Sequence, residues 1–218
     1  MLKKVSFKDQ VYEYIKQAIV MGDMKAGETY SEQMLADTLN VSRTPVREAV
    51  LQLKFENLVS VFNAKGFSVR PISFPEVQQI FQARIAIEGE ALALLASQMD
   101  TEEARDVLAR MESCVADDME GHRDAGQRYE FMQADMEFHM LGVSYTGNEF
   151  FIHVMRMMRT RMEQAIVSSL AHSDRQFVAV QEHEAIIAAL RAGDSEGARH
   201  ALERHMRRTE EILRGMME

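Results

Sequence analysis

The chain has 218 residues, room for one large domain or two modest ones, which excludes a peptide-sized or disulfide-stapled scaffold. With 46% hydrophobic residues, 3 prolines, no tryptophan and 17 methionines, it favours helices around a deformable apolar interior over an all-β protein. A net charge of −9 argues against nucleic acid until its distribution is read: residues 1–72 hold 10 Lys/Arg against 8 Asp/Glu, and residues 73–218 hold 15 against 26.

In chain order, Phe7 to Met21 repeats Val11, Ile15, Ala18 and Ile19 at helical spacing before Gly22-Asp23 stops the pattern. After the turn region Lys25-Ala26-Gly27-Glu28, Ser31 caps a short second helix expected to bury Met34, Leu35 and Leu39, and Asn40 breaks it. Ser42 is expected to cap a third helix carrying Val46, Ala49, Val50 and Leu53 on one stripe, with Pro45 in its first turn, where a missing N–H costs little. Two β-prone pieces follow, 58–62 and 67–69, joined by Asn63-Ala64-Lys65-Gly66, a hairpin turn with its glycine in place. Arg70-Pro71-Ile72 reads as a linker, because the residue before proline resists helix. A domain boundary therefore belongs near residue 72.

Beyond it, Ser73 and Pro75 open a long helix, and helical segments are expected at about 101–119, 124–142, 147–172, 174–191 and 195–216. No strand pattern and no fixed-period repeat interrupts them, so residues 73–218 read as an antiparallel all-α bundle. The expected fold is mainly α: an N-terminal winged helix-turn-helix with a small β-hairpin, then the bundle.

Helix, short turn, helix and hairpin place the third helix where a major-groove reader needs it. Its apolar stripe leaves Thr44 and Arg47 outside, with Arg43 at the N-terminal tip. An arginine can donate two hydrogen bonds to guanine O6 and N7, and helix N-terminal amides favour phosphate. Lys65 and Gly66 add a charge at the hairpin tip and a backbone free to approach a duplex. The same shape also serves in protein contacts. Residues Val41-Ser42-Arg43-Thr44-Pro45-Val46-Arg47-Glu48-Ala49-Val50, with Ser31-Glu32, Leu35-Ala36 and Gly66, closely resemble the DNA-binding domain of GntR-family bacterial transcription regulators. The resemblance implies that Arg43, Thr44 and Arg47 touch operator bases and phosphates while Gly66 lies over the groove. Gln33 stands where many relatives carry a basic residue.

In the bundle, Asp135 and His139 are four apart on one expected helix and share a face about one turn apart. His183 and His205 each lie 11 positions from residue 194, about 16 Å along their helices, so antiparallel packing would bring the imidazoles level. One carboxylate and three imidazoles suit a divalent transition metal, zinc first, with nickel, iron and manganese also matching the donors, and leave coordination positions open. His122, His153, His172 and His200 have no spaced partner and read as ordinary histidines. Asp135-x3-His139, Gly147-Asn148, Glu182-His183, Ile186, Gly193-Asp194 and His205 resemble the ligand-binding domain of the FadR subfamily within GntR regulators. That resemblance implies a metal on Asp135, His139, His183 and His205 that helps bind a small carboxylate effector. Arg84 matches a recurring arginine able to pair bidentately with the carboxylate; the alternative is a helix-surface ion pair with Glu88. Arg156, Arg159 and Arg161 form a basic cluster expected to be a solvated face, with reach into the effector pocket as the alternative.

Together these readings predict a homodimeric, effector-responsive repressor on double-stranded operator DNA whose two-fold symmetry mirrors its own. A metalloenzyme is the second class, since such a site could activate water; Glu182, beside a ligand in sequence, lies about 100° away around the helix and does not read as its base. A metal-stabilised adaptor that contacts protein is the third. Cys114 has no partner for a bridge, no secretory leader is visible, and the apolar runs fall far short of the roughly 20 residues of a membrane span, so a cytoplasmic protein without a membrane partner is expected.

Overall fold

The computed structural model describes residues 6–62, 66–116, 125–170 and 175–217. The chain divides into two units, Met1–Ile72 and Ser73–Glu218.

The first unit begins with α1 (Phe7–Met21), capped by Ser6, whose hydroxyl accepts from the Asp9 amide, and closed by Gly22 in the left-handed region at φ 80°. The chain then forms β1 (Thr29–Tyr30), α2 (Glu32–Thr38), α3 (Arg43–Phe55), β2 (Val59–Phe62) and β3 (Gly66–Val69). The expected hairpin is thus two strands of a three-stranded antiparallel sheet ordered β1-β3-β2, with Tyr30 opposite Phe67 and Val61 opposite Phe67 on the other side. β1 escapes pattern reading because two residues are too few to show an alternation. Val11, Ile15 and Ile19 of α1 bury against Leu35 and Ala36 of α2, Val46, Val50 and Leu53 of α3, and Phe67 of β3. Asn40, at φ 52°, turns the chain between α2 and α3.

Two local expectations need correction. Met34 is not buried but 70% exposed: with Ser31 as cap, the inward stripe of α2 is Glu32, Leu35, Ala36 and, partly, Leu39, and Met34 points off it. Ser42 holds the cap position of α3 in extended geometry, but its side chain makes no capping bond.

In the second unit, α4 (Phe74–Ser97) starts at Ser73, whose hydroxyl accepts from the Glu76 amide. It is followed by α5 (Glu102–Ala116), α6 (Ala125–Tyr145), α7 (Glu149–Leu170), α8 (Arg175–Arg191) and α9 (Ser195–Met217). α6 runs three residues beyond its expected end at 142. Here Gly142 lets α6 close on α4, since a Cβ there would sit 3.0 Å from Cδ2 of Leu92. α9 packs along both α4 and α8. The α8–α9 turn passes through Gly193 at φ 68°, and the Asp194 carboxylate accepts from the Gly197 amide. Methionines fill much of the core, among them Met111, Met132, Met136, Met155, Met162 and Met206. Among the described residues, no helix is long and apolar enough to cross a membrane.

Candidate functional site

The interior of the second unit is not uniformly apolar. Asp135 and His139 on α6, His183 on α8 and His205 on α9 are all buried, and each offers one ligand atom within 4.8 Å of the others'. The ring centroids of His183 and His205 lie 4.6 Å apart, and His139 lies 5.3 and 5.2 Å from them. Phe138 stacks on His183 at 4.3 Å and closes that side of the cluster.

The electrostatics keep the lone pairs available. Burial, reinforced by the neighbouring His139 and Arg175, pushes the His183 imidazole well below its ordinary value. Burial, then His183 and His139, does the same to His205. Both rings are therefore neutral near pH 7, the form that ligates metal. Nδ1 of His139 lies 2.6 Å from Oε2 of Glu88, and Nδ1 of His205 lies 2.8 Å from Oε2 of Glu182. A carboxylate on Nδ1 fixes the ring and leaves Nε2 as the outward lone pair, as in carboxylate–histidine–metal arrangements. Burial alone would raise the Glu88 carboxyl, but the Arg84 guanidinium and His139 outweigh it and hold it at about 2. At Glu182 burial wins over the attraction of Arg175, and the carboxyl is raised.

Whether these residues fit a metal can be asked of the polar atoms themselves. Oδ2 of Asp135, Nε2 of His139 and Nε2 of His183 are buried without a hydrogen-bond partner. Such atoms cost about 1–3 kcal/mol each when nothing satisfies them. A cation bound among them removes that cost, and three imidazoles with one carboxylate match zinc, nickel, iron or manganese.

Beside the cluster lies a cavity of about 10 Å³, room for about one water. Arg84, Arg175, Phe131, Ser169 and Thr209 line it with Asp135 and His205. Arg84 is no surface residue: it is 1% exposed, its Nε donates to Oε1 of Glu88 at 2.6 Å, and its Nη2 is buried without a partner. The ion pair with Glu88 therefore exists, but inside the bundle, and one arm of the guanidinium is left over. Arg175, which the sequence reading missed, donates to Glu182 at 2.9 Å and to Thr209 at 2.6 Å. Its signal was its place eight residues before His183, two turns along the same helix face. Glu88 and Glu182 were visible in sequence as neighbours of Arg84 and His183, but not as partners of His139 and His205.

The basic cluster on α7 does not form one face. Arg161 is buried and paired bidentately with Glu76, while Arg159 pairs with Glu163. Arg156 and Arg159 line a separate groove of about 360 Å³ with Glu103, Arg110 and Glu137, away from the histidines. His153 and His200 are exposed, whereas His122 and His172 lie outside the described residues.

In the first unit, Arg43, Thr44 and Arg47 are all exposed at the start of α3. Gly66 is not presented to solvent. It is buried at φ 113°, and a Cβ there would sit 2.0 Å from the carbonyl oxygen of Tyr30. A glycine is needed there for the wing's own packing on β1. Lys65 lies outside the described residues. Gln33 binds Asp37 at 2.9 Å.

Comparison with known proteins gives the same two parts. Residues 7–69 match the model of bacterial regulatory proteins of the gntR family, and residues 79–208 match the FCD domain. The uncharacterized HTH-type transcriptional regulator YdhC of Bacillus subtilis is 25% identical over 96% of this chain and 92% of its own length. The Escherichia coli HTH-type transcriptional repressor GlaR is 26% identical over 89% and 90%. The solved structure of Escherichia coli McbR, 24% identical, overlays with a TM-score of 0.77 and covers 99% of this chain and all of that one. A helix-turn-helix unit with a winged sheet, an all-helical bundle, and relatives that are transcription regulators rather than enzymes assign this chain to the gntR family of bacterial regulatory proteins, as a member carrying an FCD domain.

Proposed function

We propose that this transcription regulator holds one divalent transition metal on Asp135, His139, His183 and His205, and that a small carboxylate bound beside it alters the grip of a homodimer on operator DNA. The observation that carries the proposal is the convergence of four buried ligand atoms within 4.8 Å, three of the residues holding an unpartnered buried polar atom. A bound metal supplies a Lewis-acidic position for a carboxylate oxygen. The chain's own residues do the rest: Glu88 and Glu182 orient two of the imidazoles, and the spare Nη2 of Arg84 offers a charged donor to the same carboxylate. Thr209 and Ser169 give the remainder of the effector polar edges, and Phe131 an apolar one. On the DNA side, Arg43, Thr44 and Arg47 meet bases and phosphates, with Lys65 and the wing packed through Gly66 beside them. A dimer would read two half-sites. Relatives named as repressors support repression as the mode.

Elemental analysis tests the first half and a mobility-shift titration the second. The purified chain should carry about one metal, and the double variant H183A/H205A should lose it while still shifting a selected duplex. Binding to that duplex should fall steeply with salt, and a panel of small carboxylates should change it only in the metal-loaded chain. A metal-free preparation that gains none from solution, or binding indifferent to salt, overturns the corresponding half.

A further inference from the structure

The groups that α3 offers to DNA are donors at its tip, and none accounts for a buried acid next to them. Glu32 opens α2 with its side chain 8% exposed, the first member of that helix's inward stripe. Its Oε2 lies 3.0 Å from Nε and 3.0 Å from Nη2 of Arg43, at the start of α3. Among the described residues neither side chain has another polar partner.

Two features separate this contact from an ordinary ion pair. Arg43 stands where the helix dipole repels a cation, and the first turn of α3 contains no acid of its own. Without Glu32 the guanidinium would be free to leave into water through many rotamers, and holding it still on a duplex would cost that freedom. The contact also uses one edge of the guanidinium only. Nε and one N–H of Nη2 face Glu32, leaving Nη1 and the second N–H of Nη2 as parallel donors at the tip of a side chain that is 49% exposed. Parallel donors of that kind match O6 and N7 of guanine.

We infer that Glu32 is a positioning residue for base reading: its buried carboxylate locks Arg43 with the outer end of the guanidinium presented to one guanine of the operator. The inference rests on the assignment of α3 as the reading helix. It also gives Glu32 a sign opposite to that of a simple acid near DNA. Removing its charge should strengthen sequence-blind attraction to phosphates while weakening recognition.

The experiment uses the full chain. The unaltered protein first selects a duplex from a random-core library. Fluorescence anisotropy then compares it with E32A, E32Q, R43A and E32A/R43A on that duplex, on copies with each guanine replaced in turn, and on an unrelated duplex of equal length. E32A should bind the selected duplex about tenfold more weakly and lose most of its preference at one guanine, with the unrelated duplex bound as well as before or better. The same guanine should be the one R43A no longer reads, and E32A/R43A should bind no more weakly than R43A. E32Q keeps an acceptor and the size of the side chain, so it should fall between the unaltered chain and E32A. An equal loss on both duplexes, a gain on the selected duplex, or losses that add in the double variant would each overturn the positioning role. If the unaltered chain selects no sequence, the reading-helix assignment fails and takes this inference with it.

Discussion

Stripping the chain of divalent metal with a chelator and then restoring it should move the thermal unfolding of Ser73–Glu218 by several degrees. Oδ2 of Asp135, Nε2 of His139 and Nε2 of His183 are buried without a hydrogen bond, and Nε2 of His183 has only a 3.4 Å contact to Oδ1 of Asp135. At about 1–3 kcal/mol each, satisfying them recovers on the order of 3–9 kcal/mol. Mass action sets the other limit, because a ligand at 100 to 1,000 times its dissociation constant stabilises by about 2.7 to 4.1 kcal/mol. The two ranges meet at about 3–4 kcal/mol, and at about 2–4 °C per kcal/mol for a chain of this size the expected rise is about 6–16 °C. Differential scanning calorimetry of the chelated chain, with zinc, nickel, manganese or iron(II) added singly, measures it directly. H183A/H205A is the control and should show almost no metal-dependent rise. No shift with any of the four ions would refute the argument from unpartnered atoms. An equal shift in the double variant would mean that the metal binds elsewhere.

Gly66→Ala should cost the first unit at least about 2 kcal/mol in urea unfolding, because the new Cβ meets the Tyr30 carbonyl at 2.0 Å and φ is 113°; a change under about 0.5 kcal/mol would show that the wing does not depend on that contact. Glu88→Gln leaves the Arg84 charge buried without its acid and should cost about 3 kcal/mol in the second unit, read by calorimetry on the metal-free chain, where a loss under about 1 kcal/mol would contradict it. The metal-free chain should also weaken in mild acid. His183 and His205 have folded values well below their ordinary ones, so just below the unfolded value of about 6.5 the unfolded chain takes up protons that the folded chain refuses. Stability is then full above about pH 6.5 and falls with pH by up to about 1.4 kcal/mol per unit for each ring. A flat unfolding free energy between pH 6.5 and 5.5 would refute the burial argument.

What was legible in the sequence depended on how far each signal travels along the chain. The symmetry of His183 and His205 about residue 194 held because a tight turn and two regular helices carry register without loss, and the rings meet at 4.6 Å. The Asp135–His139 pair is local and needed only the helical repeat. Glu88 and Glu182 were hidden because their partners lie on other helices, and a carboxylate four residues after an arginine reads as a surface pair whether or not it is buried. Met34 misled for a related reason: hydrophobicity marked it for the core, while the cap at Ser31 set the phase of α2 and turned a glutamate inward in its place. β1 had no pattern to read, yet it explains the glycine at 66, whose reason lies across the sheet at Tyr30.

The size of the cavity bears on how an effector could act at all. At about 10 Å³ it takes a water but not a carboxylate with a carbon skeleton. Its walls come from five helices: Arg84 on α4, Phe131 on α6, Ser169 on α7, Arg175 on α8, and His205 and Thr209 on α9. Close-packed side chains do not yield by small amounts independently, so admitting a ligand means repacking several of these helices together. Arg175 is the strictest of these constraints. It is buried, and its donation to Thr209 ties α8 to α9, so any movement of α8 must either carry α9 with it or break a hydrogen bond from a buried charge. A ligand that replaces that contact with its own carboxylate can meet the cost, whereas an uncharged molecule of the same size cannot. The discrimination between them is the differential affinity that must drive any change in DNA binding.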